Sequence, residues 1–149
     1  KQFIVVAVGG VGKPAELVAL TAVDPATRAS SEPTESSVKK GVYSTAQAAR
    51  GKTINAEECS RCHSASLLGG ESGAPSLVGD AFRSKWNGLT LADLYEKMRA
   101  TMPADSPGRL RKADYVDLLA LILAANGYPP GENDLQADNA TLREIRIER

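Results

Sequence analysis

The sequence predicts a mainly α-helical domain, preceded by a short β-hairpin-like segment and a flexible linker. Three observations lead there. Downstream of residue 41, apolar side chains recur at helical spacing: Leu91, Leu94, Tyr95 and Met98 in one segment, Tyr115, Leu118, Leu119 and Ile122 in another. Upstream, residues 1–24 carry two continuous apolar runs, Phe3–Val8 and Leu17–Val23, split by Gly9, Gly10, Gly12 and Pro14. That pattern reads as two strands and a glycine-rich turn. Between the two regions, residues 25–40, "PATRASSEPTESSVKK", are Pro, Ser, Thr and charge, too polar to bury a core.

The helices follow in order. Ser44 is the expected N-cap of a first helix over Thr45–Glu58. A long glycine-containing loop, "SASLLGGESGAPSLVGDAFRSKW", comes next, and a loop of that length inside a compact domain is uncommon. Wrapping a bound group explains it. Thr90, with Asp93 three positions on, caps a second helix. Pro103 pushes Met102 out of the helical region, so that helix stops near Thr101 and "MPADSPG" is a loop. The third helix, "RKADYVDLLALILAANG", is apolar on several faces and ends at Gly127. The tail after "YPPGENDL" is expected to lie on the domain as an extended or short helical segment.

Charge is balanced, 18 basic against 18 acidic residues, so no field favours nucleic acid or anionic lipid. No apolar run is long enough for a membrane-spanning helix. Aromatic residues make up only 5% of the chain. A bound planar group would supply the missing apolar bulk.

The first helix runs into "EECSRCH", which holds Cys59, Cys62 and the lone histidine, His63. C-x-x-C-H is the attachment pattern of a c-type haem. Two thiols add to two vinyl groups, and the adjacent imidazole becomes an axial ligand to iron. The competing readings are weaker. A thioredoxin-type pair follows a strand in a βαβ unit, whereas the approach here is helical. A zinc site needs further ligands, which this chain does not offer as a second Cys/His pair. A disulfide across two residues is strained. For the second axial position the choices are Met98, Met102, a lysine or an open site. Met98 belongs to the apolar stripe and is expected to pack in the core. Met102, in a loop with a restricted backbone, is the expected thioether ligand, so His63 and Met102 form the metal pair.

From Gly41 to Arg149 these features resemble a class I cytochrome c domain, in which three main helices surround one covalent haem. The resemblance implies that the first and last helices cross at Gly51. Where the family carries aromatics at that crossing, this chain has Asn55 and Leu121. It implies that the Pro75 carbonyl accepts a hydrogen bond from His63 and that Leu77 packs on the haem. Arg83 and Trp86 become candidates for holding the propionates, against their plainer readings as a solvated arginine and a core tryptophan.

A second resemblance is narrower. "DLYEKMRATMPADSPGRLRKADYVDLLALILAANGYPPGENDL" is similar to the cytochrome domain fused to the C-terminus of PQQ-dependent quinoprotein dehydrogenases. "FIVVAVGGVGKPAELVALTA" is similar to the closing strands of their β-propeller. This implies that residues 1–24 are a propeller remnant, 25–40 a linker and 41–149 the cytochrome domain. The electron donor would be the PQQ dehydrogenase domain, with PQQ held only there. The acceptor would be a downstream redox protein or a quinone. The chain itself would move electrons without bond chemistry, in the periplasm, where such haems are attached after export. Two alternatives stand beside it: a free-standing periplasmic cytochrome c shuttle, and a haem protein with an open distal site.

Overall fold

The computed structural model describes residues 35–70 and 72–149. The apolar runs Phe3–Val8 and Leu17–Val23, and the polar stretch through residue 34, lie outside them.

Helices form where the apolar stripes place them. Helix α1 (Thr45–Ile54) starts at Ser44, whose hydroxyl accepts the Gln47 N–H at 3.0 Å. It does not run unbroken to Glu58. Residues Asn55–Cys59 form a π-helical turn, with the Ser60 N–H reaching back to the Asn55 carbonyl. The short α2 (Ser60–His63) completes the cysteine motif. A widened turn carries no residue-type signature of its own, so the sequence does not reveal it.

Helix α3 (Gly79–Trp86) corrects the expectation of an unstructured loop through Trp86. Phe82 and Trp86 lie one turn apart and are both buried, so this segment gains enough from packing to hold a helix. Helix α4 (Leu91–Thr101) opens with a full capping box. The Thr90 N–H donates to Asp93 Oδ2 at 2.9 Å, and the Asp93 N–H donates to Thr90 Oγ1 at 3.3 Å. Helix α5 (Lys112–Ala125) closes through Gly127, which has a φ of 85°. The Tyr128 N–H bonds to Leu123 O at 3.1 Å and the Gly127 N–H to Ala124 O at 3.0 Å. These two bonds define a Schellman cap, and the left-handed residue it needs is glycine.

The tail uses both forms expected of it, as helix α6 (Asn139–Arg143) and then an extended segment. That segment, β2 (Ile145–Arg146), pairs in parallel with β1 (Ser36–Ser37), Ser36 opposite Ile145 and Ser37 opposite Arg146. A 3₁₀ turn, Val38–Lys40, follows β1, with Val38 fully buried. Residues 35–40, expected to be linker, are therefore part of the compact unit Glu35–Arg149. Strand pairing with the distant C-terminus gives this polar stretch an order its composition conceals.

The frame is the crossing of α1 and α5. A Cβ on Gly51 would lie 2.1 Å from the Asp117 carbonyl oxygen, so the two backbones touch there. Polar ties flank the contact. Arg50 Nε sits 3.0 Å from Asp117 Oδ2, and Arg50 Nη2 lies 2.5 Å from Asp134 Oδ2. Buried Gln47 bonds Leu135 twice, accepting its N–H at 2.7 Å and donating to its carbonyl at 2.9 Å. Leu119, Ala120 and Leu123 of α5 are fully buried, which accounts for a helix apolar on more than one face.

Candidate functional site

The π turn and α2 carry Cys59, Cys62 and His63 onto the wall of a cavity of about 640 Å³. Pro75, Leu77, Trp86 and Met102 line the same space, and apolar side chains from α4 and α5, including Leu94, Leu118 and Ile122, close it. Seven of the eight residues singled out from the sequence therefore meet in one place. Met98 also lines the cavity while packing against the core.

His63 is buried, and its Nδ1 lies 3.0 Å from the Pro75 carbonyl oxygen. A carbonyl can only accept, so Nδ1 carries the proton in this bond and Nε2 is left available for a ligand. The segment bearing Pro75 is itself held. The Leu77 N–H bonds to the Leu67 carbonyl at 2.8 Å. Buried Asn126 donates to the Leu77 carbonyl at 3.0 Å and accepts the Gly79 N–H at 2.9 Å.

Both cysteines are half-buried free thiols. Burial, aided by the nearby Glu58 carboxylate and opposed by Arg109, pushes the Cys59 thiol up to about 11. A thioredoxin-type nucleophile is shifted the other way. Among the described residues, no group of three or more His, Cys, Asp and Glu side chains is placed to hold a bare metal ion. Neither observation favours the redox-pair or the zinc reading.

Met102 ends α4 with extended backbone, φ −127° and ψ 149°, as a residue before proline should. Its N–H bonds to Met98 O at 2.8 Å, and its carbonyl accepts the Tyr115 hydroxyl at 2.8 Å. The residue is thus gripped by backbone on one side and by a buried tyrosine on the other.

Arg83 is not brought to the cavity, which corrects its place among the propionate candidates. It follows Phe82 directly on α3, and about 100° of helical rotation turns it off the buried edge. Its guanidinium donates to the Asn126 carbonyl at 3.2 Å and lines a separate surface pocket. The cations that do line the cavity are Arg61, Lys85, Lys97 and Arg109. At the helix crossing, Asn55 and Leu121 also face the cavity. Asn55 is buried, and its Oδ1 has no hydrogen-bond partner among the described residues. Beside the motif, Leu67 is buried and lines the cavity, while Leu68, the next residue, is 66% exposed.

Sequence reasoning missed Asn126, Tyr115, Glu58 and Arg109 as parts of the site. Asn126 and Tyr115 read from the sequence as a helix end and a core aromatic. Their bonds to the Pro75 segment and to Met102 span 49 and 13 positions and leave no local pattern.

A partly open, largely apolar space of this size is typical of cofactor sites. Two free thiols, an imidazole and a thioether on its walls fit a covalently attached haem. Helices arranged around such a site define a c-type cytochrome domain, a class that moves electrons through its haem. The family model for cytochrome c oxidase, cbb3-type, subunit III matches residues 46–122, more than half of the chain, and the protein belongs to that family. No curated protein and no solved structure matches it. Among the described residues, no helix is long and apolar enough to cross a membrane.

Proposed function

We propose that the chain is the electron-transfer domain of a quinohaemoprotein. It receives electrons from a PQQ dehydrogenase domain and passes them to an external redox protein or quinone in the periplasm. The observation that carries the haem part is the convergence of Cys59, Cys62, His63 and Met102 on one cavity. The haem supplies a one-electron ferric/ferrous couple. The chain does the rest. The thiols of Cys59 and Cys62 tether the group, and Pro75 fixes the His63 tautomer. Met102 would offer its thioether as the second ligand, which would leave no site open for substrate. Leu77 and Trp86 pack beside the haem, and the apolar walls exclude water and tune the potential. The dehydrogenase part rests on the apolar runs of residues 1–24 and on the similarity of "DLYEKMRATMPADSPG" and its continuation to fused cytochrome domains.

The free-standing shuttle is the second reading. It is favoured by the pairing of β1 with β2, through which the folded unit closes on its own ends. The upstream reading frame separates the two: propeller blades before residue 1 support the fusion, and their absence supports the shuttle.

The test of the haem reading uses protein made in cells competent in cytochrome maturation. A covalent haem mass and a low-spin spectrum in both redox states are expected. Met102→Ala should open the sixth position, lower the potential and let ferrous iron bind carbon monoxide. If Met102→Ala changes none of these, His/Met ligation is wrong and the open-site alternative takes its place.

A further inference from the structure

The segment between α4 and α5, residues 102–111, is bonded mostly to itself. The Ser106 N–H reaches Pro103 O at 2.9 Å, the Gly108 N–H reaches Met102 O at 3.2 Å, and the Arg109 N–H reaches Ser106 O at 3.4 Å. Three side-chain ties connect it to neighbouring elements: Arg111 pairs with Asp114 at the start of α5, at the far end of the loop, and two others reach the cavity. One is the Tyr115 hydroxyl on Met102, already described. The other is an ion pair between Arg109 and Glu58. Glu58 lies on the π turn, next to Cys59, and both members of the pair line the cavity. Arg109 also faces Asp105 at 3.5 Å, but Asp105 sits on the same loop and ties it only to itself. The Glu58–Arg109 pair is therefore a direct side-chain bridge between the segment that carries the thiols and the segment that carries the methionine.

We propose that Glu58 and Arg109 form a clasp that closes the methionine loop onto the haem-attachment turn, setting how readily Met102 yields iron to an outside ligand. The inference rests on the His/Met haem reading above. For an outside ligand to reach the metal, Met102 must swing away, and the loop must part from the π turn. Breaking the ion pair is a cost of that opening. Both are positioning residues, since neither is asked to touch iron. The pair is partly exposed, with 39% of the Arg109 and 26% of the Glu58 side chain accessible. It should therefore be screened by salt, and its effect on opening should be about fivefold, near the upper end for such pairs.

The experiment titrates imidazole into the ferric holoprotein and follows loss of the thioether–iron charge-transfer band. Wild type, Glu58→Gln, Arg109→Gln and the double variant are compared at low and high ionic strength. Each single variant should bind imidazole about fivefold more tightly at low salt, and the double variant no more tightly than either. High salt should bring the wild type toward the variants and leave the double variant unmoved. Equal affinities in all four proteins, or effects of the singles that simply add, would overturn the clasp. Glu58 adjoins Cys59, so Arg109→Gln carries the test alone if Glu58→Gln takes up no haem. Wild-type protein without covalent haem, or without the thioether band before imidazole is added, would overturn the parent reading instead.

Discussion

On the attachment side of the cavity, α1 presses against α5 with backbone on backbone at Gly51, and Asn126 and Pro75 hold the segment around His63. On the methionine side, residues 102–111 meet the same cavity through buried Pro103, partly buried Leu110, a tyrosine hydroxyl and an ion pair. The first region contains a backbone contact that admits no side chain, whereas the second leans more on a few polar contacts. Such a backbone contact tolerates almost no added atoms, whereas polar contacts yield to salt, pH and competing ligands. The cavity thus has one wall that should stay fixed and one that can open.

Substitutions can break or sharpen that contrast. The largest effect is expected at Gly51→Ala. The new methyl would meet the Asp117 carbonyl, so the helices must separate, at a cost of about 3 kcal/mol. Chemical denaturation measures it, and an unchanged midpoint would show the crossing to be looser than described. Next is Asn126→Ala, which removes the bonds to Leu77, Gly79 and Ile122. Leaving those groups unpaired should cost about 2 kcal/mol. The loss should appear in global stability while the thioether–iron band survives.

Tyr115→Phe deletes one hydrogen bond to Met102 and should cost about 1 kcal/mol. Its signature is the reverse of that of Asn126→Ala. The thioether–iron band should be lost at a lower temperature than the fold, and coincident transitions would erase the contrast between the two sides.

The smallest effect concerns acid. The Arg111 guanidinium, bonded to Asp114 at the start of α5, holds that carboxyl below the usual carboxylate range. A lowered folded value means that the ionised form is favoured by folding. The contribution is complete above the unfolded carboxylate's pKa of about 4 and fades as pH falls through the lower folded value. Asp114→Asn should be less stable than wild type at neutral pH, with the gap closing below that range. A gap independent of pH would locate the effect elsewhere.

Much of this architecture was legible in the residues. Ser44, Thr90 and Gly127 marked helix ends through local chemistry, and Pro103 placed Met102 outside its helix. The three ligand-type residues of the motif were adjacent in sequence, so their meeting needed no knowledge of the fold. What stayed hidden was non-local or subtle. Phe82 and Trp86 carried a helical spacing, but the glycines before them suggested a loop. The phase of that same short helix decided that Arg83 would miss the cavity. Glu58 and Arg109 lie 51 positions apart, and two opposite charges among so many give no signal. Ser36 and Ser37 show no strand pattern, because their order comes from pairing with the far end of the chain.

That pairing has a mechanical consequence. The polypeptide enters the domain along one strand and leaves it along a parallel neighbour, with Glu35 and Arg146 joined across the seam. Tension applied between the two ends would load these strands in shear, so that their bonds resist together instead of peeling apart singly. Force applied at Glu35 would thus meet this laced seam before it reached the helices.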